Sequence, residues 1–390
     1  GKRKFCMGST PMKWTPEQLE LQATTTRFVK DHVTPHLQEW EDAGEIPREL
    51  HLQAGNAGLL GVSFPEEVGG QGGDMLDSIA LQEAFFAAGG SSGLAAGLFT
   101  GGIALPHMAT SQDQALIDRF VRPTLAGELI GSLAITEPGG GSDVAGITTR
   151  AHREGDEFVI NGAKTFITSG VRADFVTTAV RTGEPGHAGI SLIVVEKGTP
   201  GFSVDRKLDK VGWRCSDTAS LSYVGARVPA ANLIGAEGSG FYQIADQFVV
   251  ERVALAVHAY GIAQRCVQLT SQYVKERETF GKPLSSRQVV RHKLVDMHRA
   301  AEVAKAYTHL VAQRHVAGES VIAEACLAKN QAVEACTFVV DAAVQLHGGT
   351  GYMHESEVER HYRDARILGI GGGATEVLND LAARLLGYAG

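Results

Sequence analysis

One acidic residue stands in the middle of an apolar stripe and could abstract a proton. On a helix that turns about 100° per residue, one narrow face carries Ile244, Phe248, Glu251, Leu255, His258 and Ile262. If this face borders a cavity, desolvation raises the pKa of the Glu251 carboxyl toward that of a useful general base. The alternative is an acid at the edge of the stripe that reaches solvent or pairs with an arginine. Arg252 does not decide between them, because adjacent helical side chains point about 100° apart.

A glycine-rich segment at 134–143 could bring a polar ligand against the backbone. It reads Ala-Ile-Thr-Glu-Pro-Gly-Gly-Gly-Ser-Asp, so the hydroxyls of Thr136 and Ser142 stand beside exposed N–H groups. This composition suits a polar planar ligand or a phosphate that approaches the backbone closely. An ordinary flexible turn is the alternative.

A second glycine-rich segment, Gly-Ile-Gly-Gly-Gly-Ala at 369–374, has the spacing of a dinucleotide fingerprint. The residues before it, 359–366, are too charged for a buried parallel strand. Only 16 residues follow it, too few for the acidic residue expected about 20 positions on. We therefore predict a glycine-rich loop that opens a helix, suited to anionic or carbonyl groups, and no Rossmann unit.

Arg277 closes a predicted helix and is followed by Glu-Thr-Phe-Gly-Lys. Its guanidinium could bind a phosphate. It could equally complement the helix dipole at a C-terminus. The residues alone leave both roles open.

Composition excludes several classes of protein. The 390 residues include 36 Lys+Arg and 44 Asp+Glu, and the net charge of −8 argues against nucleic acid as a partner. An apolar run long enough to span a membrane is absent from the sequence. The five cysteines are odd in number and lack CxxC spacing, which predicts a reducing compartment without a disulfide framework or zinc site. We expect no bound metal.

The order of predicted elements is helices, then strands, then helices, which indicates an α+β protein. We take residues 1–10 as a leader or ragged start, 11–130 as an N-terminal helical domain, 131–238 as a sheet or barrel, and 239–390 as a C-terminal helical bundle. The longest predicted helices are Pro16–Trp40, Ser91–Met108, Phe241–Arg277, Gln288–Ala317 and Ser320–Leu346. Asn161-Gly162 follows a strand pattern and predicts a tight turn.

Several segments together resemble the acyl-CoA dehydrogenase family, from about residue 16 to residue 386. The similar motifs occur in the family's order at 134–143, 161–170, 277–281, Gln288, 345–351 and Arg363-Asp364. The resemblance implies an N-terminal helical domain, a central β-barrel and a C-terminal four-helix bundle. It also implies FAD between barrel and bundle, and a homo-oligomer, usually a tetramer. A bacterial cytoplasm or, as a second choice, the mitochondrial matrix is the implied location.

The resemblance also assigns binding residues by position. Contacts to FAD from the same subunit are implied for Ile135, Thr136, Gly141, Ser142, Phe166 and Thr168, and an edge contact for Glu376. Contacts from a neighbouring subunit are implied for Arg277, Phe280, Gln288, Gln345 and Gly349. Substrate contacts are implied for Ser142, Phe248, Arg252, Gly371 and Gly372.

The sequence departs from the commonest family pattern at the base. Many members carry their catalytic glutamate in a Tyr-Glu-Gly-Thr segment, and the matching position here is Gly372. A smaller branch carries the base on the first helix of the bundle, directly before an arginine, as in Glu251-Arg252. Glu376 is the rival base, although the first turn of a helix favours a carboxylate there for its dipole. Resemblance and helical periodicity therefore both indicate Glu251.

The implied reaction is α,β-dehydrogenation of a fatty or branched acyl-CoA to the trans-2-enoyl-CoA. Glu251 would remove the α-proton while the β-hydride passes to flavin N5, and the Gly372 N–H would help polarise the thioester carbonyl. An electron-transferring flavoprotein is the implied acceptor. The alternatives are an acyl-CoA oxidase on the same fold and a non-catalytic helical scaffold that binds acyl-CoA or flavin. Gly371, in place of a tyrosine, suggests room for branched or longer chains.

Overall fold

The chain folds in the predicted order of helices, strands and helices, which confirms the α+β class. The computed structural model describes residues 12–389, so the expected leader at 1–10 lies outside the described residues. The predicted domain boundaries at 131 and 239 stay predictions.

Between residue 12 and the first strand, nine α-helices can be distinguished. They are α1 Pro16–Phe28, α2 Leu37–Ala43, α3 Arg48–Asn56, α4 Met75–Ala87, α5 Ser92–Leu98, α6 Gly101–Ala104, α7 Pro106–Ala109, α8 Gln114–Leu116 and α9 Arg122–Leu125. Thr15 caps α1, since its hydroxyl accepts from the Gln18 N–H. The single helix predicted over 16–40 is wrong: a π-helical turn, Val29–Val33, follows α1, and Pro35 removes a backbone donor before α2 begins. The helix predicted over 91–108 is likewise three short helices.

In the described part of the chain, eight strands form one sheet. They are β1 Gly131–Ala134, β2 Arg150–Glu154, β3 Glu157–Thr168, β4 Phe175–Arg181, β5 Ile190–Glu196, β6 Phe202–Lys207, β7 Thr218–Pro229 and β8 Leu233–Ile234. Their order is β6-β7-β3-β2-β4-β5-β8, with β1 parallel to β4. The sheet curls around one apolar core, because side chains from β4 and β7 meet inside it: Thr178 Oγ1 and Tyr223 Oη are 3.0 Å apart. This curled sheet is the form that the predicted barrel takes.

The tight turn predicted at Asn161-Gly162 is wrong. Strand β3 runs straight through both residues, with an irregularity in its pairing to β7 between Ile160 and Gly162. Gly162 has φ +154°, and a Cβ there would stand 2.4 Å from Thr149 Oγ1. The glycine serves close packing of the strand against its neighbour rather than chain reversal.

The C-terminal part is a bundle of helices with a small hairpin. Its elements are α10 Gly240–Ala245, α11 Phe248–Glu276, β9 Glu278–Thr279, β10 Lys282–Pro283, α12 Gln288–Val316, α13 Ile322–His347, α14 Gly349–Tyr352, α15 Glu357–Ala365 and α16 Thr375–Leu385. Helices α11, α12 and α13 pack together and α16 packs on α13. The helix predicted over 241–277 breaks at Asp246-Gln247, so Ile244 belongs to α10 rather than to the Glu251 face. Among the described helices, none is long and apolar enough to cross a membrane.

A hydrogen-bonded chain joins all three parts of the molecule next to α11. Asp364 on α15 accepts the backbone N–H of Trp213 at 2.7 Å, and the Trp213 indole donates to Ser92 Oγ at 2.9 Å. Ser92 Oγ in turn lies 2.8 Å from Nδ1 of His258, two turns after Glu251 on α11. Burial lowers the pKa of His258 to about 4, so the imidazole is neutral. This chain fixes α11 against the N-terminal helices and the sheet.

Candidate active site

Glu251 lies in the first turn of α11 and is half-buried. Within residues 12–389 the carboxyl has no hydrogen bond and no ion pair; the Arg252 guanidinium lies instead over the Phe248 ring, 4.9 Å from its centroid. Burial raises the pKa of Glu251 to about 7, against the opposing charge of Arg252. Among the described residues the missing ion pair argues against an acid paired with an arginine, and the role of Glu251 as a base stays a prediction.

The loop 370–374 approaches α11 one turn beyond Glu251. Gly372 has φ +67°, and a Cβ at this position would stand 2.3 Å from Leu255 Cδ1. The structure thus brings Gly371 and Gly372 to the same part of α11 as Glu251 and Leu255. Glu376, the rival base, is exposed in the first turn of α16, where a carboxylate favours the helix dipole.

Lys329 completes this cluster, although the sequence analysis did not select it. Its side chain is fully buried on α13, and Nζ donates to the carbonyl oxygens of Gly371 at 2.5 Å and Gly373 at 2.7 Å. Burial, together with the nearby Arg252 charge, lowers the pKa of Lys329 to about 8. The signal that could have found it is the one that found Glu251: a charged residue on an otherwise apolar helical face, here among Cys326, Val333 and Cys336.

The glycine-rich segment 134–143 and strand β3 lie side by side. The N–H of Thr165 donates to the Thr136 carbonyl at 2.9 Å, and Ser132 Oγ donates to the Thr168 carbonyl at 2.8 Å. A Cβ at Gly141 would stand 3.0 Å from the Thr136 methyl group. The structure thus brings together the same-subunit residues Ile135, Thr136, Gly141, Phe166 and Thr168, with the exposed Ser142 beside them.

A buried ion pair anchors the glycine-rich segment 134–143 to strand β3. Lys164 Nζ lies 3.0 Å from Glu137 Oε2 and also donates to the Ile135 carbonyl. Glu137 accepts the backbone N–H groups of Thr148 and Thr149 as well. Burial by itself raises the pKa of Glu137, but Lys164 and these donors outweigh it and lower that pKa to about 2. Neither role is evident from the sequence alone.

The residues expected to reach FAD from a neighbouring subunit collect at one end of the bundle. Tyr273, one turn before Arg277, stacks on His347 with ring centroids 4.4 Å apart, which links the β9–β10 hairpin to the end of α13. The group has five residues, all of them exposed: Arg277, Phe280, Gln288, Gln345 and Gly349. Over the described part of the chain, this group has no hydrogen bond, ion pair or aromatic contact to the group around Thr136.

Models of the acyl-CoA dehydrogenase domains match the chain in three parts. The N-terminal domain matches residues 15–128, the middle domain 132–224 and the C-terminal domain 238–387. The chain belongs to the acyl-CoA dehydrogenase family.

Individual acyl-CoA dehydrogenases are similar along most of the chain. Long-chain specific acyl-CoA dehydrogenase of Sus scrofa is 38% identical over 363 residues, 92% of this chain and 84% of the relative. Isovaleryl-CoA dehydrogenase of Pongo abelii is 32% identical over 366 residues, 93% of this chain and 86% of the relative. The crystal structure of a probable acyl CoA dehydrogenase from Mycobacterium abscessus is 61% identical with TM-score 0.94, covering 95% of this chain and 99% of that one. These matches confirm the predicted family and fold.

The residues present fit the flavin that membership of the acyl-CoA dehydrogenase family implies. The hydroxyls of Thr136, Ser142 and Thr168 form no hydrogen bond with any described residue, so they are free to bind a polar planar ligand. Phe166 has φ +59° and is 69% exposed, and Phe280 has φ +52° and is fully exposed. Phe280 and Gly281 form the two-residue turn of the β9–β10 hairpin, which requires positive φ, whereas Phe166 adopts its positive φ inside strand β3. Both rings have the exposed face that a cofactor or a second subunit would cover.

Among the residues that the structure describes, neither a cluster of metal ligands nor a disulfide is found. In the region 12–389, His, Cys, Asp and Glu side chains form no group of three or more that could hold a metal ion. Cys215, Cys266, Cys326 and Cys336 are buried free thiols, and Cys6 lies outside the described residues. That the protein binds no metal stays a prediction.

Proposed function

We propose that this chain is an FAD-dependent acyl-CoA dehydrogenase that converts a fatty or branched acyl-CoA to its trans-2-enoyl-CoA, with Glu251 as the base. One observation carries the proposal: a carboxyl with a pKa of about 7 and no bonding partner among the described residues lies one turn from Leu255, against which Gly372 packs. A base with a pKa near the working pH combines a large ionised fraction with a strong pull on the proton.

Each side chain has a separate task in this reaction. The Glu251 carboxylate takes the α-proton, and the Gly372 N–H donates to the thioester oxygen, where negative charge develops. FAD, when bound, accepts the β-hydrogen as hydride, so the substrate loses one proton and one hydride in total. Phe248 and the Arg252 guanidinium above it wall the site beside Glu251 and keep water away from the base.

Two groups of residues would hold the cofactor. Thr136, Ser142 and Thr168 offer free hydroxyls, with Ile135, Gly141 and Phe166 beside them. The far end of FAD would meet the second group, whose residues are Arg277, Phe280, Gln288, Gln345 and Gly349, from another subunit. Because the two groups share no hydrogen bond, ion pair or aromatic contact within residues 12–389, we infer that the cofactor joins subunits of a homotetramer and stabilises the assembly by mass action. An electron-transferring flavoprotein would then reoxidise it.

The pH dependence of the rate should report the Glu251 carboxyl. Since only the ionised carboxyl accepts a proton and its pKa is about 7, we expect kcat/KM for an acyl-CoA to rise tenfold per pH unit below 7 and to level off between about pH 7 and 8. Initial rates with an artificial electron acceptor, measured across this range, check the profile. If kcat/KM instead stays constant down to the ordinary carboxyl pKa of about 4.3 and falls only there, the base is not desolvated.

A panel of acyl-CoA thioesters tests the activity and its substrate range. Anaerobic addition of a substrate should bleach the visible flavin absorbance of the purified protein. Because Gly371 has no side chain where the family resemblance places a tyrosine, we expect long straight chains and branched chains to bleach faster than butyryl-CoA. Purified protein without flavin absorbance, or without bleaching by any thioester, would favour the non-catalytic scaffold. Peroxide release in air with no transfer to an electron-transferring flavoprotein would favour the oxidase.

A further inference from the structure

We propose that Lys329 is a positioning residue that orients and polarises the Gly372 N–H through the Gly371–Gly372 peptide group. The inference rests on the proposed function, because it assumes that this N–H donates to the thioester oxygen. It concerns how the amide acquires its direction and its strength as a donor.

The setting of Lys329 is unusual for a lysine. Its side chain is fully buried, and within residues 12–389 it has no carboxylate partner. The ammonium is balanced instead by the two carbonyl oxygens of Gly371 and Gly373, at 2.5 and 2.7 Å. A buried charge without a counter-ion destabilises the folded protein, so we infer that Lys329 has a function that offsets this cost.

The geometry of the peptide group fixes what these two bonds do. In a planar trans peptide the C=O and the N–H point in opposite directions, and the described residues have no cis peptide. The Gly371 carbonyl and the Gly372 N–H belong to one such group. When Lys329 binds the carbonyl, the N–H must therefore point away from α13. The second bond, to the Gly373 carbonyl, holds the other side of Gly372 at φ +67°.

The Gly372 N–H is free to act as a donor. It has no acceptor among the described residues, and Gly372 itself is exposed. An ammonium bound to the carbonyl oxygen draws electron density through the peptide and makes the N–H a stronger donor. Fixed donors of this kind stabilise charge on the substrate oxygen without further reorganisation.

The charge on Lys329 is present at neutral pH and lost somewhat above it. Burial and the Arg252 charge lower its pKa to about 8. The charged or titratable groups that act on it are Arg252 from α11 and Cys326 from its own helix, while the loop 370–374 supplies only backbone atoms. Polarisation of the amide should therefore weaken as the pH rises through about 8.

The carbonyl stretch of a bound thioester tests the proposal directly. Holoenzyme carrying Glu251→Gln is loaded with an enoyl-CoA labelled with carbon-13 at the thioester carbonyl, so that the ligand is not consumed. We expect infrared difference spectra to show a lowered stretching frequency, and a clearly smaller lowering when Lys329→Met is added. In the protein with Glu251 intact, Lys329→Met should lower kcat about 100-fold with little change in KM.

Asn330 provides the matched control. It is the next residue on α13 and donates to the Thr375 carbonyl at 3.1 Å and to Asn379, so Asn330→Ala loosens the same loop region without touching Gly371. This variant should keep the full frequency shift. A full shift in Lys329→Met would overturn the proposal while leaving the proposed function intact, whereas no shift in the Glu251→Gln parent would overturn both. If Lys329→Met fails to fold, the parent is titrated instead, and a shift that stays constant well above pH 8 overturns the role of the charge.

Discussion

The Glu251→Gln variant should retain its flavin and lose about 1,000-fold in the rate at which acyl-CoA bleaches it. The amide has the size and shape of the carboxyl but cannot accept the α-proton. Because Glu251 bonds to no described residue, its replacement breaks no contact that could disturb the site indirectly. Stopped-flow absorbance under anaerobic conditions measures the rate, and the flavin spectrum before mixing shows that the cofactor is in place.

The same variant should be more stable than the wild type at neutral and alkaline pH. A carboxyl whose pKa is raised to about 7 in the folded protein holds its proton more tightly there than in the unfolded chain, so its ionisation costs folding free energy. The free energy of unfolding contributed by Glu251 is therefore lost as the pH rises through 7, by about 2–3 kcal/mol. Thermal melting should show a gain for Glu251→Gln at pH 8 that disappears toward pH 4.5. A variant that loses activity and gains stability indicates that Glu251 serves catalysis at a cost in stability, whereas loss of a structural residue would lower both.

Two other acids separate this outcome from a general effect of charge removal. Asp246, exposed just before α11, is the matched control, and Asp246→Asn should change neither the bleaching rate nor the pH dependence of melting. Glu376→Gln should still allow bleaching, because that side chain lies exposed on α16. Undiminished bleaching in Glu251→Gln, together with its loss in Glu376→Gln, would move the base to Glu376.

Helical periodicity could locate Glu251 because the signal is local to one helix. The stripe around it needs only the residues of α11, and the resemblance supplied the loop at Gly372 from a contiguous motif. What periodicity could not supply is the relation between them. The contact of Gly372 with Leu255 and the bonds from Lys329 join α11, α13 and the loop, which are far apart in the chain. Such contacts depend on tertiary packing.

Two of the wrong predictions share the same physical origin. Asn161-Gly162 is a strong local turn signal, yet β3 continues because its pairing with β2 and β7 outweighs that preference. The break at Asp246-Gln247 has no proline or glycine to mark it, so the sequence around α10 and α11 read as one helix. Backbone conformation at these points follows from neighbours that are distant in sequence, and local propensity alone is a weak guide there.

Restoring a glutamate at Gly372 should fail as long as Leu255 is present. The double variant Glu251→Gly, Gly372→Glu moves the base to the position used by many relatives, but its Cβ would stand 2.3 Å from Leu255 Cδ1 at a φ of +67°. The left-handed conformation alone costs a non-glycine residue about 1–2 kcal/mol. Relief of the contact shifts either Leu255 or the loop that carries the Gly372 N–H, and a shifted loop misplaces the donor to the thioester. We expect bleaching below about 1% of the wild-type rate.

Adding Leu255→Ala to this double variant should recover at least about tenfold in bleaching rate, because the space for the new side chain is then open. The control is Leu255→Ala alone, which should lose about 2–3 kcal/mol of unfolding free energy yet keep most of its activity, since Leu255 takes no part in the chemistry. Bleaching at wild-type rates by the double variant, with Leu255 intact, would contradict the argument. The expected pattern makes Gly372, Leu255 and Glu251 one coupled arrangement: the base stands on α11, and the leucine one turn later fills the space that a base on the loop would need.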